Sequence, residues 1–155
     1  MLPGGETVTT NCIRRTSRVL LALLGVVLTG LLLSACNSGD ESQDMTLLNQ
    51  VRATNGQPAL VRNATLDAKA RAQAVRMARA GHLYHSRNLS GGVSSAWTIM
   101  GENVGMGANV AQVQQALVDS PPHFANMVDP RYTQVGIGVV VRKGVTYVAQ
   151  VYLGS

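Results

Sequence analysis

The sequence predicts one α+β layered domain, with helices first and an antiparallel β-hairpin last. Three observations predict it. Of 155 residues, 46% are hydrophobic and only 14% charged, the balance of a chain that buries a core. Apolar residues recur at helical spacing in three segments between residues 45 and 118. From residue 134 they alternate at spacing two across a tight Arg142-Lys143-Gly144 turn, the pattern of a hairpin.

The chain opens on what reads as an export address. Arg14, Arg15 and Arg18 precede residues 19–33, fifteen positions without a charge. As a helix this run spans roughly 22 Å, short of the ~30 Å bilayer core, as in a signal peptide. It ends in Leu33-Ser34-Ala35-Cys36, which resembles the bacterial lipobox. That resemblance implies cleavage before Cys36 and diacylation of its thiol, with two or three chains giving stable anchoring. An uncleaved membrane anchor and a cleaved signal without lipid are the alternatives. The expected organisation is a signal peptide over 1–35, a polar tether over 36–44 and the folded domain over 45–155. The expected place is the cell membrane, lipid-anchored and facing the extracytoplasmic side. Of the two cysteines, Cys12 leaves with the signal, so the mature domain has no internal disulfide.

Charge and aromatic content exclude one class of partner. The net charge is +5, but from residue 36 onward ten basic side chains face seven acidic ones. With aromatics at 4%, neither a basic stripe nor a base-stacking surface is present, so no nucleic acid is expected.

Within the domain each element has its signal. Residues 45–54 carry Leu47, Leu48 and Val51 on a helical face, and Asn55-Gly56 stops it. Residues 67–80 form a second helix, with Leu66, Ala70, Ala74, Met77 and Ala78 along one side, Arg71, Arg76 and Arg79 elsewhere, and Gly81 as the stop. Residues 110–118 bury Val110, Val113 and Leu117. Ser120 followed by Pro121 starts a short fourth helix to about Val128, and Asp129-Pro130 breaks it. The strands cover 134–142 and 145–152.

Three stretches carry candidate chemistry: His82-Leu83-Tyr84-His85-Ser86, Gly101-Glu102-Asn103-Val104-Gly105, and Ser120-Pro121-Pro122-His123 through Asn126-Met127. Each alone is a weak signal. Their order resembles the CAP superfamily, also called SCP-like domains. Leu48-Asn49 with Arg52 is similar to its first helix, His85-Ser86 to the His-Ser after the second, and Gly101-Glu102-Asn103 to its Gly-Glu-Asn signature. Ser120 to Met127 is similar to the bacterial Ser-Pro-x-His motif, and Val135-Gly136-Ile137-Gly138-Val139 and Gln150-Val151-Tyr152 to the last strands. The resemblance covers roughly 70% of the chain. It implies a CAP-type α-β-α sandwich with a small antiparallel sheet.

It also implies that His85, Glu102 and His123 converge in one cleft and hold a divalent metal such as zinc. Two imidazoles and a carboxylate are the ligand set of catalytic zinc sites, yet no second carboxylate stands out as a base. Where the family carries a second cavity glutamate, residues 110–118 hold none, and Asp119 is a poor substitute. Leu117 stands where bacterial members have Trp, and Phe124 where they have Arg. No Gly-x-Ser-x-Gly elbow or P-loop is present. The expected function is therefore a binding module for a small or lipidic ligand or a cell-envelope partner. The alternative is a metal-dependent hydrolase of peptide or envelope polymer, and a purely structural hydrogen-bonded trio is the third reading. Nothing in the sequence defines an oligomeric state.

Overall fold

The computed structural model describes residues 39–94 and 96–155. The signal segment 1–35, Cys36, Asn37 and Ser38 lie outside the described residues. Residues 39–54 form α1. The elements that follow are β1 (Val61–Arg62), α2 (Ala64–Ala80), β2 (Ile99–Gly107), α3 (Val110–Val118), α4 (Pro121–Val128), β3 (Gln134–Arg142) and β4 (Val145–Gly154). Among the described residues no helix is long and apolar enough to cross a membrane.

Helix α1 corrects the expected tether. Residues 39–44 are its first turns, and Glu41 and Asp44 are buried. Their acidity reads as a solvated linker, but each has a partner. Glu41 accepts from Arg71 Nη2 at 2.6 and 2.8 Å and from Arg62 Nη2 at 3.3 Å, which ties α1 to α2. Asp44 accepts from Gln150 Nε2 at 2.8 Å.

The sheet is larger than the hairpin. Its order is β1-β3-β4-β2, with β1 parallel to β3 and the other pairs antiparallel. The turn between β3 and β4 places Lys143 at φ 51° and Gly144 at φ 76°, the left-handed pair a two-residue hairpin needs. Successive strand residues face opposite sides, so the sheet has two cores. Leu66, Ala70, Ala74 and Met77 of α2 pack on Val104, Ala149, Val151 and Leu153. On the other side Leu48 of α1, Val113 and Leu117 of α3 and Met127 of α4 pack on Val135, Ile137, Val139 and Tyr152. This is the expected α-β-α sandwich.

Two features fix the layers closely. An added Cβ at Gly136 would overlap the backbone of Leu66 and Asp67, and one at Gly138 that of Ala70 and Arg71. The Val-Gly-Ile-Gly-Val strand is therefore the bed on which the α2 backbone lies. Arg52, 1% exposed, donates to the carbonyls of Pro58, Met127, Asp129 and Tyr132 at 2.7 to 3.3 Å. One guanidinium thus joins α1 to the loop after it and to the segment leading from α4 into β3.

Candidate functional site

Helix α2 begins with Asn63 capping Thr65 N and Leu66 N, and ends at Gly81 in the left-handed region with its N–H on the Met77 carbonyl. Two α2 side chains, Lys69 and Gln73, then hold the loop that follows. Lys69 Nζ donates to the carbonyls of Asn88 (2.9 Å) and Gly91 (2.7 Å). Gln73, fully buried, donates Nε2 to the Tyr84 carbonyl at 2.5 Å and accepts on Oε1 from Arg76 Nε (3.1 Å) and Nη2 (2.6 Å). The loop stands away from the helix and leaves an open cleft of about 1000 Å³. Its lining includes Lys69, Gln73, Arg76, Tyr84, His85 and Arg87.

Strand β2 supports the loop from below. Glu102 lies opposite Val151 and so faces the α2 side. Its Oε2 accepts from His85 Nδ1 (2.9 Å) and Ser86 N (2.8 Å), and its Oε1 from Ser86 Oγ (2.5 Å). The carboxylate is buried, whereas the His85 side chain is 60% exposed. A ring nitrogen facing this carboxylate is the proton donor, so Nδ1 carries the proton and Nε2 points to the open side.

Asn103 faces the other layer. Its Nδ2 donates to the His123 carbonyl at 3.0 Å, and its Oδ1 accepts from Asn126 Nδ2 at 3.0 Å. Asn103 Nδ2 also reaches Tyr152 Oη (3.2 Å), which donates to Gln150 Oε1 (2.5 Å), which leads to Asp44. Burial pushes the Asp44 carboxyl up to about 7, against the opposing pull of Gln150 and Arg62. The His123 imidazole is held by Ser120 Oγ at 2.8 Å. Ser120 therefore makes no side-chain cap bond to α4, although its residue type predicts one. Burial first, and then the charge of His85, hold His123 below its ordinary pKa, so it is neutral at neutral pH.

His85 and Glu102 are thus in direct contact, and His123 is joined to His85 by electrostatics without a hydrogen bond to either. Asp119 is exposed, accepts from Gln115 Nε2 at 2.9 Å and takes no part. Sequence reasoning missed Lys69, Gln73 and Arg76. Their spacing of four and three puts them on one face of α2, a polar stripe beside the apolar one, and that was the available signal.

Among the described residues no three His, Cys, Asp or Glu side chains are grouped to hold one ion. Glu102 receives three donors, from His85 Nδ1, Ser86 N and Ser86 Oγ. What does fit is a support role, in which a carboxylate fixes a histidine's Nδ1–H and leaves Nε2 for a ligand.

An α-β-α sandwich with a loop-walled cleft and this His-Ser–Glu clasp defines an α+β domain of the CAP class. The profile of the CAP family, described as the cysteine-rich secretory protein family, matches residues 45–152, and the chain belongs to that family. No curated protein sequence matches it. Among solved structures it is similar to an extracellular SCP-domain protein of Bacillus anthracis, with TM-score 0.67 and 19% identity over 77% of this chain. The chain spans only 41% of that protein's length. It is similar also to an outer surface protein of Borrelia burgdorferi, with TM-score 0.68 and 13% identity over 75% of this chain and 92% of that one. A third is NaASP2 with Zn2+, at TM-score 0.56 and 13% identity over 73% of this chain and 78% of that one.

Proposed function

We propose that this chain is an extracytoplasmic CAP module, tethered to the membrane through a lipid on Cys36, that binds a small ligand or a cell-envelope component in the cleft beside His85. The observation that carries the reading is the cleft of about 1000 Å³ whose wall is fixed by buried groups. A preformed concave site with a few placed polar groups is the usual form of a ligand site. The location is supported by the lipobox-like end at Cys36 and by the extracellular and outer-surface neighbours. Hydrolysis with Glu102 as the general base is disfavoured because that carboxylate is engaged in holding His85 and Ser86. Were a divalent cation such as zinc to bind, His85 and His123 would be the residues to hold it, with Glu102 supporting His85. The Zn2+ of the NaASP2 structure supports testing this.

The test is to incubate the full chain with isolated envelope peptidoglycan and with envelope lipid extract, with and without zinc. The expected result is retention of ligand without released fragments, lost in Ala72→Trp, which fills the cleft from an exposed helical position. Release of soluble fragments that stops in Glu102→Gln would replace binding with hydrolysis.

A further inference from the structure

We propose that the cleft between α2 and the loop after it recognises the phosphate group of a phosphate-bearing ligand. The inference rests on the binding reading above and names the chemistry of its ligand.

The cleft has a one-sided charge. Lys69, Arg76 and Arg87 line it, and no Asp or Glu does. Outside the cleft Arg71, Arg62 and Arg131 are ion-paired, with Glu41, with Glu41 and Asp67, and with Asp129, whereas among the described residues Arg79 and Arg142 stand singly at exposed positions. Arg76 is bonded only to the neutral amide of Gln73, and among the described residues Arg87 makes no hydrogen bond or ion pair. Unpaired guanidinium groups gathered at a concave surface are the feature that needs an occupant.

Arg76 is also held in place. Gln73 is fully buried and has its own amide fixed by the Tyr84 carbonyl, so its Oε1 is a rigid acceptor. It binds the Nε and Nη2 edge of Arg76 and leaves Nη1 free to donate into the cleft. Lys69 is fixed by two loop carbonyls and keeps a third proton. His85 presents Nε2, since its Nδ1 is on Glu102. A monocarboxylate would neutralise one of the three full charges. A phosphomonoester carries about −1.5 to −2 and three acceptor oxygens, which matches the lining better. The volume of about 1000 Å³ leaves room for the organic body that carries the phosphate.

Such a phosphate can belong to a soluble ester or to a lipid headgroup. The experiment separates the two. Full-length chain is titrated calorimetrically with glycerol 3-phosphate and with glycerate, and tested by flotation with phosphatidic acid or phosphatidylcholine vesicles. The expected result is phosphate binding at least tenfold tighter than glycerate, weakening as salt rises, and reduced at least tenfold in Arg76→Gln and in Arg87→Gln. Both are exposed positions, so both variants keep the fold, checked by circular dichroism. Flotation on phosphatidic acid in excess of phosphatidylcholine, lost in the double variant, assigns the phosphate to a lipid. Competition of that flotation by glycerol 3-phosphate assigns it to the shared phosphate chemistry. If neither form binds, or binding ignores both substitutions, the phosphate inference is overturned. Retention of an uncharged envelope ligand that Ala72→Trp abolishes would then leave the binding reading intact without it.

Discussion

Glu102 and Asn103 are neighbours in sequence and bond to opposite layers of the sandwich. Glu102 takes His85 and Ser86 from the segment after α2, and Asn103 takes the His123 carbonyl from α4. This follows from strand geometry, in which adjacent residues point to opposite faces. β2 is an edge strand, so the two histidine-bearing segments attach at one margin of the sheet. The Gly-Glu-Asn signature is thus a two-sided fastener.

Arg52→Met will be among the most destabilising single changes. It removes donors from four carbonyls, and the bonds to those of Met127 and Tyr132 are buried. A lost partner at a buried polar group costs about 1–3 kcal/mol each, so the total loss here is on the order of 3 kcal/mol or more. Urea denaturation measures it, and a change below about 1 kcal/mol would remove Arg52 from this role.

Gly138→Ala will destabilise strongly although Ala suits a strand better. The added Cβ meets backbone of Ala70 and Arg71, which cannot rotate away, so α2 must shift off the sheet. Overpacking of this kind costs about 1–3 kcal/mol or more. The thermal midpoint should fall by several degrees, whereas Val141→Ala, at an exposed position, should change it little.

Asp44 gives the fold a pH dependence of its own. Its folded pKa of about 7 lies above the ordinary 3.8, so the folded chain holds this proton more tightly than the unfolded one. The contribution is full below about pH 4 and is lost as pH rises toward 7. The whole difference corresponds to roughly 4 kcal/mol at about 1.36 kcal/mol per pKa unit. Asp44→Asn keeps an acceptor for Gln150 and should flatten that slope, with the variant more stable than the parent at pH 8. Denaturation midpoints at pH 5 and pH 8 that shift in parallel for both chains would contradict this.

Anchoring at Cys36 has a direct test. Cys36→Ala should abolish metabolic labelling with palmitate and move the protein out of the detergent phase. Persistent labelling, or an intact mass equal to the full precursor, would show that the Leu-Ser-Ala-Cys end is not used.

Much of the fold was legible because its signals are local. Helix α3 runs over the residues predicted for it, Gly81 ends α2, and the β3–β4 hairpin turns at Lys143-Gly144. What stayed hidden depends on distant partners. Glu41 and Asp44 resemble linker residues until Arg71 and Gln150 arrive from 30 and 106 positions away. Strand β2 was not legible because Gly101, Gly105 and Gly107 interrupt its alternation, and β1 has only two residues. In the site, His85 and Glu102 stand out by motif, but the role of Glu102 does not. A carboxylate looks the same in sequence whether it ligates an ion or holds a loop. The cleft escaped because Lys69, Gln73 and Arg76 read as an ordinary solvated helix face, and only the position of the 82–91 loop makes them a wall.

The most direct test of the account is hydrogen exchange at the Ser86 amide. That N–H donates to Glu102 Oε2 at 2.8 Å in a loop that is otherwise largely exposed. If Glu102 is the clasp that holds the cleft wall, this amide is protected far beyond its exposed loop neighbours Leu83 and Arg87. It loses that protection in Glu102→Ala while the amides of β3 and β4 keep theirs. A Ser86 amide that exchanges as fast as those neighbours in the unaltered protein would contradict the account.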